Sequence, residues 1–477
     1  MDLRGILKFI PEVKSPEEKK LGFKEKAKWT IIVLLSFFIL ANIPLFGLSA
    51  NALSRFQYLA VILGTDFGSI ISLGIGPIVT ASLILQLLVG SGMVRVDTTT
   101  SEGRKFFQGI QKLLVFFFTV LEALIYVLMQ GLQAAPGFAW LVILQLILGG
   151  LAIFYMDELV GKWGLGQGTS LFIAAGVSWR LITNSLQFID QQGRNCLLDF
   201  ANVPCSGKIL VMIQSLITRQ NIELLSAAGA IAVTVGIFLL VIWAQSLKIE
   251  IPLSFGRIRG YNVSQPLSFF YASNVPVILT AALIANIQLF GGIFQNAASV
   301  CASGACTGLA QFASHLTFLG QFSQGQAISG FAFWIGSTNI LDLIIRGGFL
   351  PRYVLQGVFH ALFFMIFSTM FSIFWVKTSG LDAKTQAHKI SSSGLQVAGF
   401  RQDERVLETI LERYIMPLTV MGGMAVGLLA ALTDVMGAIV GGTSILLVIM
   451  ITNQFYQSVV QQHPEIINPS LGKFVGK

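Results

Sequence analysis

Residues 74–88 read Gly74-Ile75-Gly76-Pro77-Ile78-Val79-Thr80-Ala81-Ser82-Leu83-Ile84-Leu85-Gln86-Leu87-Leu88, an uncharged run. They fill most of an apolar stretch over 70–90. At about 1.5 Å per helical residue, such a stretch crosses the roughly 30 Å hydrocarbon core of a bilayer. Ile75 and Val79, four positions apart, project from one side of that helix. The same reading carried outward predicts ten spans, near 29–48, 70–90, 113–132, 138–156, 168–189, 224–245, 267–291, 355–376, 412–433 and 435–460.

Composition supports one membrane domain rather than several soluble ones. Of 477 residues, 54% are hydrophobic and 11% charged, with mean hydropathy +0.75, whereas soluble domains carry about 25% charged residues. An even number of spans puts both termini on one face. Arg4, Lys8, Lys14, Lys19, Lys20, Lys24, Lys26 and Lys28 make that face the cytoplasmic one. Of the 31 Lys and Arg, only Arg55, Arg180, Arg194, Lys208, Arg219, Arg346 and Arg352 fall outside the inner segments, counting Arg413 at the inner mouth of the ninth span. The first span begins late and lacks a small-residue cleavage site, so it is expected to remain as an anchor.

Five spans precede the polar outer segment 190–223 and five follow it. An odd number per half makes the second half enter from the opposite side, the topology of an inverted repeat. The stretch 56–70 is apolar, interrupted by Asp66 and Gly68 and too short to cross. It reads either as a re-entrant segment facing a vestibule or as an interfacial half-helix. Residues 1–10 alternate apolar and basic groups, as does a short helix in the headgroup plane. The residues after Gln461 are polar and basic and are expected to be loosely ordered.

Cys196 and Cys205 fall between spans five and six, Cys301 and Cys306 between seven and eight, both outer loops. Each pair is close enough in sequence to close a small disulfide on an oxidising face; four free thiols is the other reading. P-loop, HExxH, CxxC and GxSxG patterns do not occur, and His315, His360, His388 and His463 lack metal-ligand spacing. Neither an enzyme nor a bound cofactor or metal is expected. The 48 glycines fit close helix packing. Glu122 lies within a span, where an ionisable group costs about 2.5–3.5 kcal/mol and faces protein or water.

The stretch 74–88 resembles the second span of the SecY family. In matching order come Gly164-Leu165-Gly166-Gln167-Gly168, Ile251-Pro252-Leu253 with Arg257-Ile258-Arg259-Gly260, Ser273-Asn274-Val275-Pro276-Val277-Ile278, Gly399-Phe400-Arg401 and Gly441-Gly442-Thr443. The resemblance covers nearly the whole chain and is of archaeal type, chiefly through the long outer loop 292–354 and the form of the two large inner loops.

It implies an all-α polytopic fold of ten transmembrane helices in two pseudo-symmetric halves, 1–190 and 224–460, with a plug half-helix over 56–70 that includes Phe56, Leu59, Val61, Ile62 and Leu63. It places Ile75, Val79, Ile173, Val275, Ile278 and Leu447 in an aliphatic pore ring; Thr169, four residues before Ile173, stands where the family usually has another aliphatic member. Such a ring blocks ions by dewetting yet yields to a passing chain. Thr80, Glu122 and Asn286 become a polar cluster at a lateral gate, the alternative being plain helix packing.

Inner loops 247–266 and 377–411, with Arg257, Arg259 and Arg401, would dock a ribosome or motor through backbone phosphate or other anionic groups; the positive-inside rule alone also accounts for such charges. The implied partners are a single-span SecE-type subunit, a small β-type subunit (SecG or Sec-beta), the ribosome, signal sequences, nascent polypeptide and membrane lipid. The implied function is a channel in the cell membrane that moves unfolded secretory polypeptides across and releases transmembrane segments sideways into lipid. A secondary transporter of inverted-repeat fold is the competing class, disfavoured by the lack of a second intramembrane carboxylate.

Overall fold

The computed structural model describes residues 11–17, 21–51, 65–94, 96, 100–129, 131–189, 194–198, 200, 203–255, 262–302, 311, 315–323, 326–392, 395–397 and 403–462. The plug candidates Phe56, Leu59, Val61, Ile62 and Leu63, the docking candidates Arg257, Arg259 and Arg401, Cys306, and the two chain ends lie outside these residues.

Ten helices stand at the ten expected spans: α1 (Phe23–Ala41), α2 (Gly76–Gly90), α3 (Ser101–Leu128), α4 (Ala139–Trp163), α5 (Gly168–Leu186), then α7 (Asn221–Ser246), α8 (Val275–Ala302), α11 (Pro351–Thr378), α13 (Glu404–Met436) and α14 (Gly442–Gln462). Between them lie the shorter helices α6 (Lys208–Thr218), α9 (Phe331–Ile335), α10 (Ile340–Ile345) and α12 (Ala383–Ser392). Seven of the ten are long and apolar enough to cross a membrane on their own. The other three have local reasons for falling short. Helix α1 opens on Lys24, Glu25, Lys26 and Lys28, α5 carries Arg180, Thr183 and Asn184, and α2 has only 15 residues because it begins inside the protein after the turn at 65–75.

Span limits differ from the hydropathy reading where helices outrun the apolar zone. Helix α3 starts at Ser101, twelve residues before the expected 113, with the Thr100 hydroxyl accepting the Gly103 N–H at 3.1 Å. Its first turns are polar and need no bilayer to form. Helix α8 continues to Ala302, past the expected end at 291, so Cys301 belongs to its last turn rather than to a loop. The loop expected over 292–354 is correspondingly shorter and contains the hairpin of β5 (Gln321–Ser323) and β6 (Gln326–Ser329) together with α9 and α10.

The two large loops expected on the cytoplasmic face are joined. Strands β3 (Lys248–Phe255) and β4 (Asn262–Ser268) form a hairpin, and β7 (Leu395–Val397) adds antiparallel to β3 with Leu253 opposite Val397 and Ser254 opposite Gln396. On the other face β1 (Leu48–Asn51) pairs with β2 (Leu132–Ala134), and Cys196 is disulfide-bonded to Cys205. The Cys205 N–H donates to Gln214 Oε1 at 2.9 Å, which fastens the small loop to α6.

Helices approach closely through glycine, as expected where lipid supplies no hydrophobic drive. A Cβ on Gly149 of α4 would lie 1.9 Å from the Ile70 carbonyl oxygen, and one on Gly427 of α13 would lie 2.7 Å from that of Phe364 in α11. The largest cluster of buried apolar side chains runs through both halves at the centre. Large apolar residues such as Leu35, Ile39, Leu239, Trp243, Phe359 and Ile366 are exposed on the outside of the bundle. An apolar exterior around a buried polar and apolar interior suits hydrocarbon as solvent.

Charged groups mark the bundle ends. Lys112 donates to Glu158 at 2.6 Å and to Glu12 at 2.7 Å, while the Val13 N–H reaches Glu158 and Trp163 donates to the Lys14 carbonyl at 2.8 Å. The segment before α1 is thus strapped to α3 and α4. At the opposite end Arg346 bridges Asp342 of α10 and Glu223 of α7, and Ser226 donates to Asp342 at 2.5 Å.

Candidate functional site

Helix α2 begins at the centre because Ile75, its N-cap residue, follows a tight turn in which Thr65 donates to the Ile71 carbonyl and the Ser72 hydroxyl accepts the Gly68 N–H. Ile75 and Val79 thereby enter the central buried apolar cluster. Ile75, Ile173 and Leu447 have no exposed surface, and Val79 and Ile278 retain less than a tenth of theirs. All five belong to one cluster, against which half-buried Val275 packs. Aliphatic side chains from four helices and both halves of the chain thus share one buried apolar cluster. A constriction lined by such side chains offers water no hydrogen-bond partner, so ions could not keep their hydration in it.

Thr169 sits one turn before Ile173, half-buried, in the first turn of α5. Its N–H donates to Asp157 Oδ1 of α4 at 2.6 Å. The position marks the junction of α4 and α5.

Beside this apolar cluster runs a polar thread. Asn286 Nδ2 of α8 donates to Thr80 Oγ1 of α2 at 3.2 Å, and the Thr80 hydroxyl donates to Glu122 Oε1 of α3 at 3.0 Å. Glu122 is buried, and its carboxylate lies over Gly76, where a Cβ would stand 3.1 Å from Oε2. The three residues read together from the sequence are thus in one hydrogen-bonded line from α3 through α2 to α8. Gln111 Nε2 adds a second bond between α3 and α2, to Ser82 Oγ at 2.6 Å. Gln111 was not singled out from the sequence, since one amide near the polar end of a span looks like any solvated residue.

Two further groups escaped the sequence reading. Asp434 accepts the Thr443 N–H at 2.6 Å and lies 3.5 Å from Nε2 of buried His360, whose Nδ1 contacts the Ile335 carbonyl oxygen. Gln356, one turn earlier on α11, donates to the carbonyls of Phe333 and Gly336, which seats α9 on the bundle. Polar residues recurring at i and i+4 inside an apolar span were the available signal.

These features define a class: a ten-helix membrane protein in two five-helix halves, with a buried aliphatic cluster shared by both halves next to a hydrogen-bonded polar line between helices of the two halves. Comparison with known proteins narrows it. The family model described as SecY matches residues 69–456. The chain is 40% identical to the protein translocase subunit SecY of Methanothermobacter thermautotrophicus, over 99% of this chain and 98% of that protein. It is 37% identical to the SecY subunit of Methanocaldococcus jannaschii, over 99% of both. Among solved structures, a protein-conducting channel superposes with TM-score 0.80 at 36% identity, covering 99% of this chain and all of that one. Sec61 in the canine ribosome–channel complex superposes with TM-score 0.75 at 35% identity, again over 99% of this chain and 100% of that one. The chain belongs to the SecY family.

Proposed function

We propose that the chain is the pore-forming subunit of a protein-conducting channel, which passes unfolded secretory polypeptide through the aliphatic constriction and releases apolar segments sideways between α2–α3 and α8–α11. The observation that carries this reading is the convergence of Ile75, Val79, Ile173, Ile278 and Leu447 into one buried cluster from four helices. A constriction of flexible aliphatic side chains seals against ions and has no sequence preference for a chain that forces it apart. The thread from Asn286 to Glu122 closes the seam through which a signal sequence would leave.

In this reading the halves are 1–190 and 224–460, residues 56–70 form the plug, and loop 292–354 faces outward. Loops 247–266 and 377–411 dock the ribosome or another driving partner, with Arg257, Arg259 and Arg401 supplying charge toward phosphate. The sheet that unites β3, β4 and β7 supports one platform rather than two independent loops. A SecE-type single-span subunit and a small β-type subunit complete the assembly. The chain resides in the cell membrane with both termini cytoplasmic, in keeping with the basic inner segments.

The test is crosslinking of a stalled secretory nascent chain to single cysteines at Ile75, Ile173 and Ile278, with the native cysteines replaced. Adducts at all three positions are expected. A folded, inserted channel whose ring positions never meet the chain would refute the reading.

A further inference from the structure

Two carboxylates outside the proposed ring and seam make the same contact in the two halves of the chain. Asp157, near the end of α4, accepts the N–H of Thr169, second residue of α5, at 2.6 Å on Oδ1. Asp434, near the end of α13, accepts the N–H of Thr443, second residue of α14, at 2.6 Å on Oδ1, and accepts the Thr443 hydroxyl on Oδ2. Helices α4 and α13 are the fourth spans of their halves, and α5 and α14 the fifth.

The surroundings correspond as well. Each threonine follows a glycine pressed onto the preceding helix: a Cβ on Gly168 would come within 2.6 Å of Asp157 Cα, and one on Gly442 within 2.0 Å of the Thr433 carbonyl. The third span of each half also approaches the site, with Lys112 of α3 bound to Glu158 beside Asp157 at 2.6 Å, and His360 of α11 3.5 Å from Asp434. Five spans separate the two junctions, so they lie on opposite faces of the membrane. In each case a ring residue stands four positions beyond the threonine, Ile173 in one half and Leu447 in the other.

A helix N-terminus has unpaired N–H groups and the positive end of the macrodipole, so a carboxylate there is held firmly. Its usual partner is the helix's own N-cap, but Gln167 makes no side-chain cap bond to α5. Here the carboxylate belongs to the neighbouring helix, and the bond fixes the axial height of one helix against the other. Ile173 and Leu447 lie one turn further on, about 5.4 Å along each helix.

The geometry points to Asp157 and Asp434 as positioning residues for the aliphatic ring, each setting the height of one ring-bearing helix from an opposite face. This rests on the reading of Ile173 and Leu447 as ring members. The test uses the full-length protein in planar bilayers without a translocating chain, with idle ion conductance as readout. Asp157→Glu and Asp434→Glu keep the charge and the acceptor but lengthen the tether, and are expected to raise conductance several-fold at unchanged melting temperature. Asp157→Asn keeps the length and the acceptor oxygen for the Thr169 N–H, and is expected to remain near the parent level.

Thr169→Pro and Thr443→Pro delete the donor at a helix position that tolerates proline; they should leak as the glutamate variants do, and serve if those fail to fold. Tight glutamate and proline variants beside a leaking Ile173→Ser would overturn the inference and leave the ring standing. Equal leakage from Thr100→Ala, which removes a cap far from the ring, would overturn it too. If Ile173→Ser and Leu447→Ser are themselves tight, the ring reading falls and takes the inference with it.

Discussion

Asn286 and Thr80, 206 residues apart in the chain, meet across the seam between α8 and α2 with Nδ2 and Oγ1 3.2 Å apart. The bond continues through Thr80 to buried Glu122, so one polar thread ties helices of both halves together. Interhelical hydrogen bonds in membrane proteins contribute about 0.6 kcal/mol on average and about 1.7 at most. Each such bond is weak enough to give way to a strongly apolar helix that competes for the seam.

Replacing Asn286 by leucine removes the donor and leaves Thr80 bonded to Glu122. Seam opening should become easier by about 0.6 kcal/mol, a roughly threefold shift. Precursors with weakened signal sequences should then cross reconstituted vesicles about threefold more efficiently, while strong signals change little. Reduced transport of the weakened precursors would contradict the proposed role.

Ser254 and Gln396 face each other in the antiparallel register of β3 and β7. Directly opposed residues have Cα atoms about 4.5–5.5 Å apart, within disulfide range. Ser254→Cys with Gln396→Cys, in a background without the native cysteines, should crosslink under mild oxidation, whereas Ser254→Cys with a cysteine at Ser392 should not. A reversed preference would mean that the two inner loops are not joined in this register.

Burial pushes the Asp342 carboxyl up, but the Ser226 hydroxyl and the Arg346 guanidinium outweigh it and leave the pKa below the ordinary 3.8. A carboxylate lowered on folding stabilises at every pH above its ordinary value, and that contribution is lost as pH falls below 3.8 through the folded value. Hydrogen exchange over α10 should therefore be constant from about pH 5 to pH 8 once corrected for intrinsic rates, and should accelerate below about pH 4. High salt should weaken the exposed Arg346 contacts. A transition near neutrality would exclude Asp342 as the responsible group.

Gly149 has its Cα against the Ile70 carbonyl, where an added Cβ would sit 1.9 Å from the oxygen. Backbone cannot yield as a flexible side chain can, so Gly149→Ala should cost about 1–3 kcal/mol or more. The expected result is a clear drop in the melting temperature of the detergent-solubilised protein. Gly236→Ala, where open space surrounds the added carbon, should leave it unchanged. Equal melting of the two variants would show that α4 does not pack this way.

Much of the architecture was legible because it depends on local properties. Apolar length gave the ten helices, but charged and polar extensions moved their limits, as at Ser101 and Ala302, since a helix persists beyond the bilayer wherever caps and packing sustain it. The joining of β3 with β7 left no trace in hydropathy, because ladder hydrogen bonds connect backbones irrespective of side-chain polarity. Glu122 stood out as a lone carboxylate in an apolar span, whereas Asp157 and Asp434 did not, lying near the ends of spans where charge is ordinary.

By itself the sequence determined that the chain crosses the membrane ten times in two halves of opposite entry, because hydrocarbon thickness fixes how many apolar residues a span needs and every backbone group must bond within its own helix. Only the tertiary structure decided that Asn286 meets Thr80, that Ile75, Ile173 and Leu447 share one buried cluster, and that a carboxylate of the fourth span in each half caps the fifth. Those relationships arise from helix packing, a sum of many small contacts between segments distant in sequence, and no local property of either partner specifies them.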